Sequence, residues 1–426
     1  MVARQLADRG LIPTSADDAQ LVVLNTCTVT ADADRAARAA IRRVRSRNPN
    51  ASILVTGCYA QRAPNEIAAI PGVTWVVGNS HKHTIADIAV PASSRFVPVQ
   101  SLVFPAPSVH VGDIFAHTEV LSAPVSRPSD TDPLDSRTRP NLKVQDGCDN
   151  RCSFCVIPTV RGHSRSRSLQ QVVGDINALV AGGSREVVIS GINLGRWGRD
   201  LTPASRIEAL IIAILERTPL EKLRLSSVEP MDWSDELIAL LRSSSRLAKH
   251  AHVPMQSGSD TVLRRMHRKY RPWHYREKIL KIRESLPTAA IGADVMTGFP
   301  GETGVEFEET RRMVEDLPLT YLHVFPYSPR PGTPAAALPG QVPVHVSRQR
   351  LAALRDLIAG KKQAFARSFV GRTLPAITLH SSTPRSANAL TDNYLELRFP
   401  GPLEPNRWLL ARITASENGT LTGVPA

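Results

Sequence analysis

Between about residue 139 and about residue 340 the chain repeats one alternation six times, and little else in it restricts the fold as tightly. Apolar runs at "NLKVQDG", "EVVISGINLG", "KLRLSSVEP", "HAHVPMQSG", "IGADVMTGFPG" and "YLHVFPYSP" read as buried strands. Between them, "SLQQVVGDINALVAG", "RIEALIIAILERT", "SDELIALLRSS", "HYREKILKIRESL" and "EFEETRRMVEDL" place apolar residues at helical spacing. Strands alternating with amphipathic helices imply a parallel sheet. About six β/α units form either a doubly wound sheet or a partial barrel, and in both the chemistry sits at the carboxyl ends of the strands.

The loop after the first of these strands reads "DGCDNRCSFCVIP" and spaces Cys148, Cys152 and Cys155 as Cys-x3-Cys-x2-Cys. Sulfur ligands select zinc, copper(I) or iron–sulfur clusters. A zinc site would need a fourth ligand, either His163 or a distant cysteine. Three thiolates on a four-iron cluster instead leave one iron open to a substrate. Unliganded buried cysteines are the third reading. The sequence has five cysteines in all, so a disulfide framework is not expected and a reducing compartment fits.

The formal charge is +13, with arginine-dense segments at "RAARAAIRRVRSRN" and "RGHSRSRS". Such an excess favours a polyanionic partner, because basic side chains release counterions condensed on phosphates. A solvated basic surface is the plainer reading. No run of eighteen apolar residues occurs and "MVARQLADRG" lacks a signal peptide's apolar segment, so a cytoplasmic protein without a membrane is expected.

Ahead of the alternating region, residues 2 to about 9 read as a helix closed by Gly10. The strands "AQLVVLNTC", "ASILVTGC" and "VTWVVGN" follow, with the amphipathic helix "ADADRAARAAIRRVRSRN" between the first two. Cys27 and Cys58 each end a strand, which predicts that both thiols emerge on one edge of a parallel sheet. Residues 91–138 are rich in Pro and Ser and read as an irregular connector. After the helix "SRQRLAALRDLIAGKKQAFARSFVG", the segments "GRTLPAITLH", "NYLELRFPG" and "RWLLARITA" predict a small β-barrel.

The cysteine loop, with Phe154 before its last cysteine, resembles the signature of the radical S-adenosylmethionine (SAM) enzymes. That resemblance implies a (β/α)6 partial barrel and a four-iron cluster on Cys148, Cys152 and Cys155, whose open iron chelates SAM and breaks it to a 5'-deoxyadenosyl radical. "NTCTVTADADRAARAAIRR" and "VTGCYAQ" look like the amino-terminal domain of the methylthiotransferases, in which three cysteines hold an auxiliary four-iron cluster. By that likeness Cys27 and Cys58 are two of its ligands. The family begins one strand earlier, on a strand ending in Gly-Cys, so an upstream start is expected to supply the first strand and the third ligand.

The division implied is a truncated methylthiotransferase domain over 1–90, the connector over 91–138, a radical SAM core over 139–367 and a TRAM-like RNA-binding barrel over 368–426. "NTCTVTADADR" with "DGCDNRCSFCVIPTVRG" looks closest to the branch that adds a methylthio group at C2 of N6-threonylcarbamoyladenosine next to the tRNA anticodon. Sister branches act on isopentenyladenosine in tRNA or on a ribosomal-protein aspartate. From another class, an RNA-binding protein with structural zinc is the rival. The likeness implies tRNA as partner, an electron donor such as a flavodoxin or ferredoxin, and a monomer.

Polar residues at the strand ends are candidates for gripping SAM: Gly191 and Asn193, Ser227 and Glu229, Gln256 and Ser257, then Asp294, Gly298, Gly301 and Glu302. Arg161, Arg165 and Arg167 follow the cysteine loop and suit phosphate oxygens, as RNA contacts or as partners of carboxylates such as Glu229. His252, His267 and His323 show no ligand spacing and receive no role.

Overall fold

The computed structural model describes residues 2–90, 107–120, 138–380 and 385–426. Its contacts divide the chain into two compact units. The first takes its described residues from Met1–Pro124, Asp146–Arg165 and Ser328–Ala336, and the second from Val125–Gln145, Ser166–Tyr327 and Ala337–Ala426.

The first unit is built on a parallel sheet of β1 (Leu21–Thr26), β2 (Ser52–Gly57), β3 (Val73–Val77) and β4 (Ser108–His110), in that order. Its crossover helix, Ala31–Arg47, starts where the sequence says it should. Thr30 caps it by accepting the Ala33 N–H, Asp32 and Asp34 lie in its first turn, and Arg45 and Arg47 lie in its last, matching the helix dipole at both ends. Ile41 from this helix packs with Ile53, Val55, Ile67 and Val76 in the core. β4 corrects the reading of 91–138 as a connector, since its described part contributes a strand paired with Trp75–Val77. Residues 91–106 and 121–137 lie outside the described residues.

In the second unit, β5 (Asn141–Lys143), β8 (Glu186–Ser190) and β9 (Lys222–Leu225) form one parallel sheet, and β10 (His250–His252), β11 (Ala290–Thr297) and β12 (Tyr321–Pro326) form another. Two short strands, β6 (Gln145–Asp146) and β7 (Arg165–Ser166), lie between β5 and β8 in sequence, on either side of the cysteine loop. Val228 N–H donates to the His252 carbonyl (3.0 Å) and so joins the two sheets across the middle of a partial barrel. β11 is buried along nearly its whole length, as a parallel strand covered on both faces must be. Capping boxes at Ser168–Gln171 and Thr303–Glu306 set the starts of two outer helices.

The tail closes as a five-stranded barrel of β13 (Thr373–Thr378), β14 (Ser386–Thr391), β15 (Glu396–Pro400), β16 (Trp408–Glu417) and β17 (Thr420–Pro425). Its β14–β15 turn stops the amino end of the partial barrel. Tyr394 lies 4.5 Å from the His250 ring, Arg224 donates to the carbonyls of Thr391 and Asp392, and Asn393 donates to Thr288 O (3.0 Å). The tail barrel therefore covers the amino ends of the strands and leaves their carboxyl ends out of its contacts. The boundary drawn at 367/368 from element type is not a boundary of packing, because both sides fall in one unit while the cysteine loop belongs to the other.

Candidate functional site

Cys27 and Cys58 leave the sheet side by side. In the parallel register Thr26 faces Gly57, so the next residue of each strand is a cysteine, as the spacing predicts. Gly57 has φ +104° and a Cβ there would lie 2.3 Å from Thr26 O, so only glycine lets the two strand ends approach this closely. Cys27 is exposed and its Sγ accepts the Val29 N–H (3.4 Å). Cys58 is buried, with Asn79 Nδ2 at 3.5 Å and Arg161 Nε at 3.2 Å donating to its sulfur.

The other cysteine group belongs to the same unit. Gly147, with φ +72°, turns the chain into the loop where a Cβ would lie 1.8 Å from His163 O. Cys148 N–H donates to Gly162 O (3.1 Å) and Cys155 N–H to Cys152 O (3.1 Å). The sulfurs of Cys148 and Cys155 each accept the N–H two residues on, from Asn150 and Ile157 (3.4 Å each). Phe154 is half-buried within the loop. The helix that follows, Ile157–Arg161, places Val156, Ile157 and Val160 against Cys58. One loop thus carries three thiols and packs its exit helix on a fourth. His163, the residue that a fourth zinc ligand would have called on, is exposed and shares its Nδ1 with Asp149 Oδ1 (2.8 Å).

A segment that sequence reasoning missed ties both groups together. After β12, Arg330 reaches Thr28 Oγ1 (2.8 Å) and the Asp34 carboxylate, Ser328 Oγ accepts the Ala31 N–H (2.9 Å), and Ala335 N–H donates to Ser153 O (2.8 Å). Arg62 completes the cluster, with Nε on Thr28 Oγ1 (2.8 Å) and Nη2 on Asp34 Oδ2 (3.0 Å).

Of the candidate RNA contacts, none presents a free fork to solvent. Arg161 bonds Cys58 and Asp146 Oδ2 (3.4 Å), and although burial opposes its charge, those two neighbours hold its pKa above the ordinary value. Arg165, 5% exposed, donates to the carbonyls of His117 and Arg161. Arg167 is 8% exposed and paired with Asp175. Arg161 and Arg167 each meet a carboxylate, Asp146 and Asp175, and neither of these is Glu229.

At the strand ends of the second unit, Gly191 lies against Gln145, whose Oε1 accepts the Asn193 N–H (2.8 Å). Gln256 is buried at φ +62° and its Oε1 has no hydrogen-bond partner, nor has Ser226 Oγ. The remaining candidates are already engaged. Glu229 is ion-paired with Arg268, burial pushing its pKa up against that cation's pull. Ser227 Oγ meets His252 Nδ1, and Asp294 Oδ1 lies 3.4 Å from His252 Nε2. Ser257 bonds Thr310, and Glu302 accepts the Gly298 N–H (3.1 Å) and pairs with Arg350.

A family model described as the Radical SAM superfamily matches residues 142–314, and one described as Uncharacterized protein family UPF0004 matches residues 1–78. Threonylcarbamoyladenosine tRNA methylthiotransferase MtaB of Bacillus subtilis (strain 168) is 36% identical over 387 residues, covering 90% of this chain and 82% of that protein. This chain belongs to the radical SAM methylthiotransferase family. The MtaB of Aquifex aeolicus (strain VF5) is also 36% identical, over 90% of this chain and 88% of its own length. A tRNA-2-methylthio-N(6)-dimethylallyladenosine synthase of Streptomyces avermitilis is 34% identical over 94% of this chain and 78% of that protein. Among solved structures, the radical SAM methyltransferase TsrM from Kitasatospora setae shares the fold, with a TM-score of 0.56 at 17% identity over 74% of this chain and 66% of that one.

A methylthiotransferase of this family is an enzyme that uses SAM and a four-iron cluster, and the residues present fit both. The donor set of one loop is three thiols, two of them already accepting N–H bonds of the kind that tune cluster sulfurs. The unpartnered Gln256 Oε1 and Ser226 Oγ are buried acceptors awaiting donors. Among the described residues no helix is long and apolar enough to cross a membrane.

Proposed function

We propose that this enzyme adds a methylthio group to C2 of N6-threonylcarbamoyladenosine next to the tRNA anticodon. The observation that carries the reading is the packing of one cysteine group on the other: the exit helix of the Cys148–Cys155 loop lies on Cys58 and lends it the Arg161 N–H. Replacing a C–H of adenine by sulfur has no easy ionic route, so a radical source and a sulfur carrier have to act in one place. Cys148, Cys152 and Cys155 hold the first cluster, and Cys27 and Cys58 are two ligands of a second. When bound, the first supplies an electron that breaks the SAM sulfonium to a 5'-deoxyadenosyl radical, and the second carries the methylthio group.

The chain's own residues do the rest. Gly191, Asn193 and Gln256 cradle SAM at the carboxyl ends of the strands, with Gln256 Oε1 accepting from its polar hydrogens. Ser227, Glu229 and Asp294 act behind that layer, through their bonds to His252 and Arg268. Exposed cations on helix Ala31–Arg47 (Arg42, Arg43 and Arg47) and on the tail barrel (Arg398 and Arg412) serve as tRNA contacts ahead of the buried Arg165 and Arg167 and the half-buried Arg161. The electron donor is a flavodoxin or ferredoxin, and the enzyme works in the cytoplasm as a monomer.

The preference for the threonylcarbamoyl base rests on likeness to the MtaB proteins above the dimethylallyladenosine synthase. Mass spectrometry of tRNA digests, after expression in a host lacking the modification, tests it. Gain of 2-methylthio-threonylcarbamoyladenosine is expected. Gain of methylthio-dimethylallyladenosine instead moves the chain to the sister branch. Zinc without iron or labile sulfide after anaerobic purification overturns the radical chemistry.

A further inference from the structure

Three side chains in the second unit, two of which stand behind the SAM cradle proposed above, come together although none of them is neighbour to another in sequence. We propose that His252, Asp294 and His323 form a metal site for a divalent first-row ion of the zinc or ferrous class. They project from β10, β11 and β12, which lie next to one another. Asp294 is opposite His323 in the register, and His252 is opposite Gly292, two residues earlier on the same face as Asp294. The ligand atoms of all three lie within 4.8 Å of one another. His252 Nε2 and Asp294 Oδ1 are 3.4 Å apart. That is long for an N–H···O bond. It is the spacing of two corners of a tetrahedron whose metal–ligand bonds are about 2.1 Å, which works out at about 3.4 Å.

The imidazole at the centre of the group is the one most in need of a partner. His252 is 8% exposed, and its Nε2 has no hydrogen-bond partner. Ser227 Oγ meets the other ring nitrogen, Nδ1. When Nδ1–H donates to that hydroxyl, the Nε2 lone pair points into the group, the support that metal-bound imidazoles characteristically have. The Tyr321 ring stacks on His252 at 5.8 Å and walls the amino-end side. Two imidazoles and one carboxylate suit zinc or ferrous iron, whereas magnesium and calcium take shells of oxygen. His323 is the exposed member, so a fourth position is open there to water or to an oxygen of a bound molecule.

Zinc binding to the anaerobically reconstituted enzyme tests the site without reference to methylthiolation. Zn²⁺ is titrated against a chromophoric chelator, and wild type is compared with His323→Ala and Ser227→Ala. Any zinc taken by cysteines cancels in the difference. The wild type is expected to bind one more zinc than His323→Ala, and Ser227→Ala is expected to keep that zinc with about 10-fold or more weaker affinity. His323 is exposed, so its variant should fold, and Ser227→Ala gives a second reading if it does not. Equal zinc counts in wild type and His323→Ala, or an unchanged affinity in Ser227→Ala, would overturn the proposal.

Discussion

Asp34→Ala is the sharpest test of how the first unit holds its cysteines in place. The Asp34 carboxylate lies between the guanidiniums of Arg62 and Arg330, and the three side chains are 7%, 14% and 3% exposed. Removing it leaves two buried cations sharing one hydroxyl, that of Thr28. Breaking a buried pair by deleting one partner costs about 3–5 kcal/mol. Here Arg62 can turn toward Glu66, 3.8 Å away and half exposed, which returns part of that and brings the expectation to about 3 kcal/mol. That is about two orders of magnitude in the unfolding equilibrium. Asp34→Asn keeps an acceptor and should lose about 2 kcal/mol, the worth of a charged hydrogen bond. Arg330→Leu leaves Asp34 with Arg62 and should cost about 1–2 kcal/mol. Combined with Asp34→Ala it should cost less than the sum, by about 2 kcal/mol of coupling. Urea unfolding of each variant measures the costs, and hydrogen exchange over 27–34 and 328–336 shows whether the loss is local. A loss below about 1 kcal/mol for Asp34→Ala, or strict additivity in the double variant, would show that the carboxylate does not clamp these segments.

Four further outcomes are expected. Cys152→Ala should abolish 5'-deoxyadenosine formation in a reductant-driven assay, and persistent cleavage removes the ligand assignment. Cys58→Ala should spare that cleavage while stopping methylthiolation, as read by mass spectrometry of tRNA digests. Arg161→Leu withdraws a buried N–H donor from the Cys58 sulfur, so the midpoint potential of the second cluster should move negative in a redox titration. Glu306 is buried enough to raise its pKa, but hydrogen bonds from Arg265, Thr261 and the Thr303 N–H pull it down from 4.5 to about 2. A depressed carboxylate stabilises the fold above its unfolded pKa and loses that contribution as pH falls through the folded one. Glu306→Gln should therefore flatten the urea midpoint of the apo chain between about pH 4.5 and 2, by on the order of 1 kcal/mol.

What could be read ahead of the structure was whatever repeats locally. Apolar runs of strand length alternating with helical spacing predict six β/α units because each run has to be buried wherever it lies. Cys27 and Cys58 could be placed on one edge because parallel strands share a carboxyl end, and Thr26↔Gly57 makes that literal. Short or polar strands gave no such signal. Ser108–His110 has three residues, and Ser386–Thr391 and Thr420–Pro425 lack a β-branched apolar run. Charge misled in the other direction. "RGHSRSRS" reads as a phosphate-binding stretch, but whether an arginine is free depends on carboxylates such as Asp175 and on carbonyls such as His117 O, which its own neighbourhood does not announce.

The hardest features to foresee are those made by register between distant strands. His252 and His323 sit 71 residues apart with Asp294 between them, and nothing in their spacing suggests a ligand set; only the pairing of β10, β11 and β12 puts them on one face. Arg330 is likewise 296 residues from Asp34. The cysteine loop combines both problems. By connectivity it is the first loop of the partial barrel, so a division by element type assigns it to 139–367. By packing it belongs with Cys27 and Cys58, since its exit helix lies on Cys58 and the segment after β12 clamps Ser153 on one side and Asp34 on the other. One short segment thus bears three thiols and, in its exit helix, the Arg161 N–H donor to the thiol of Cys58.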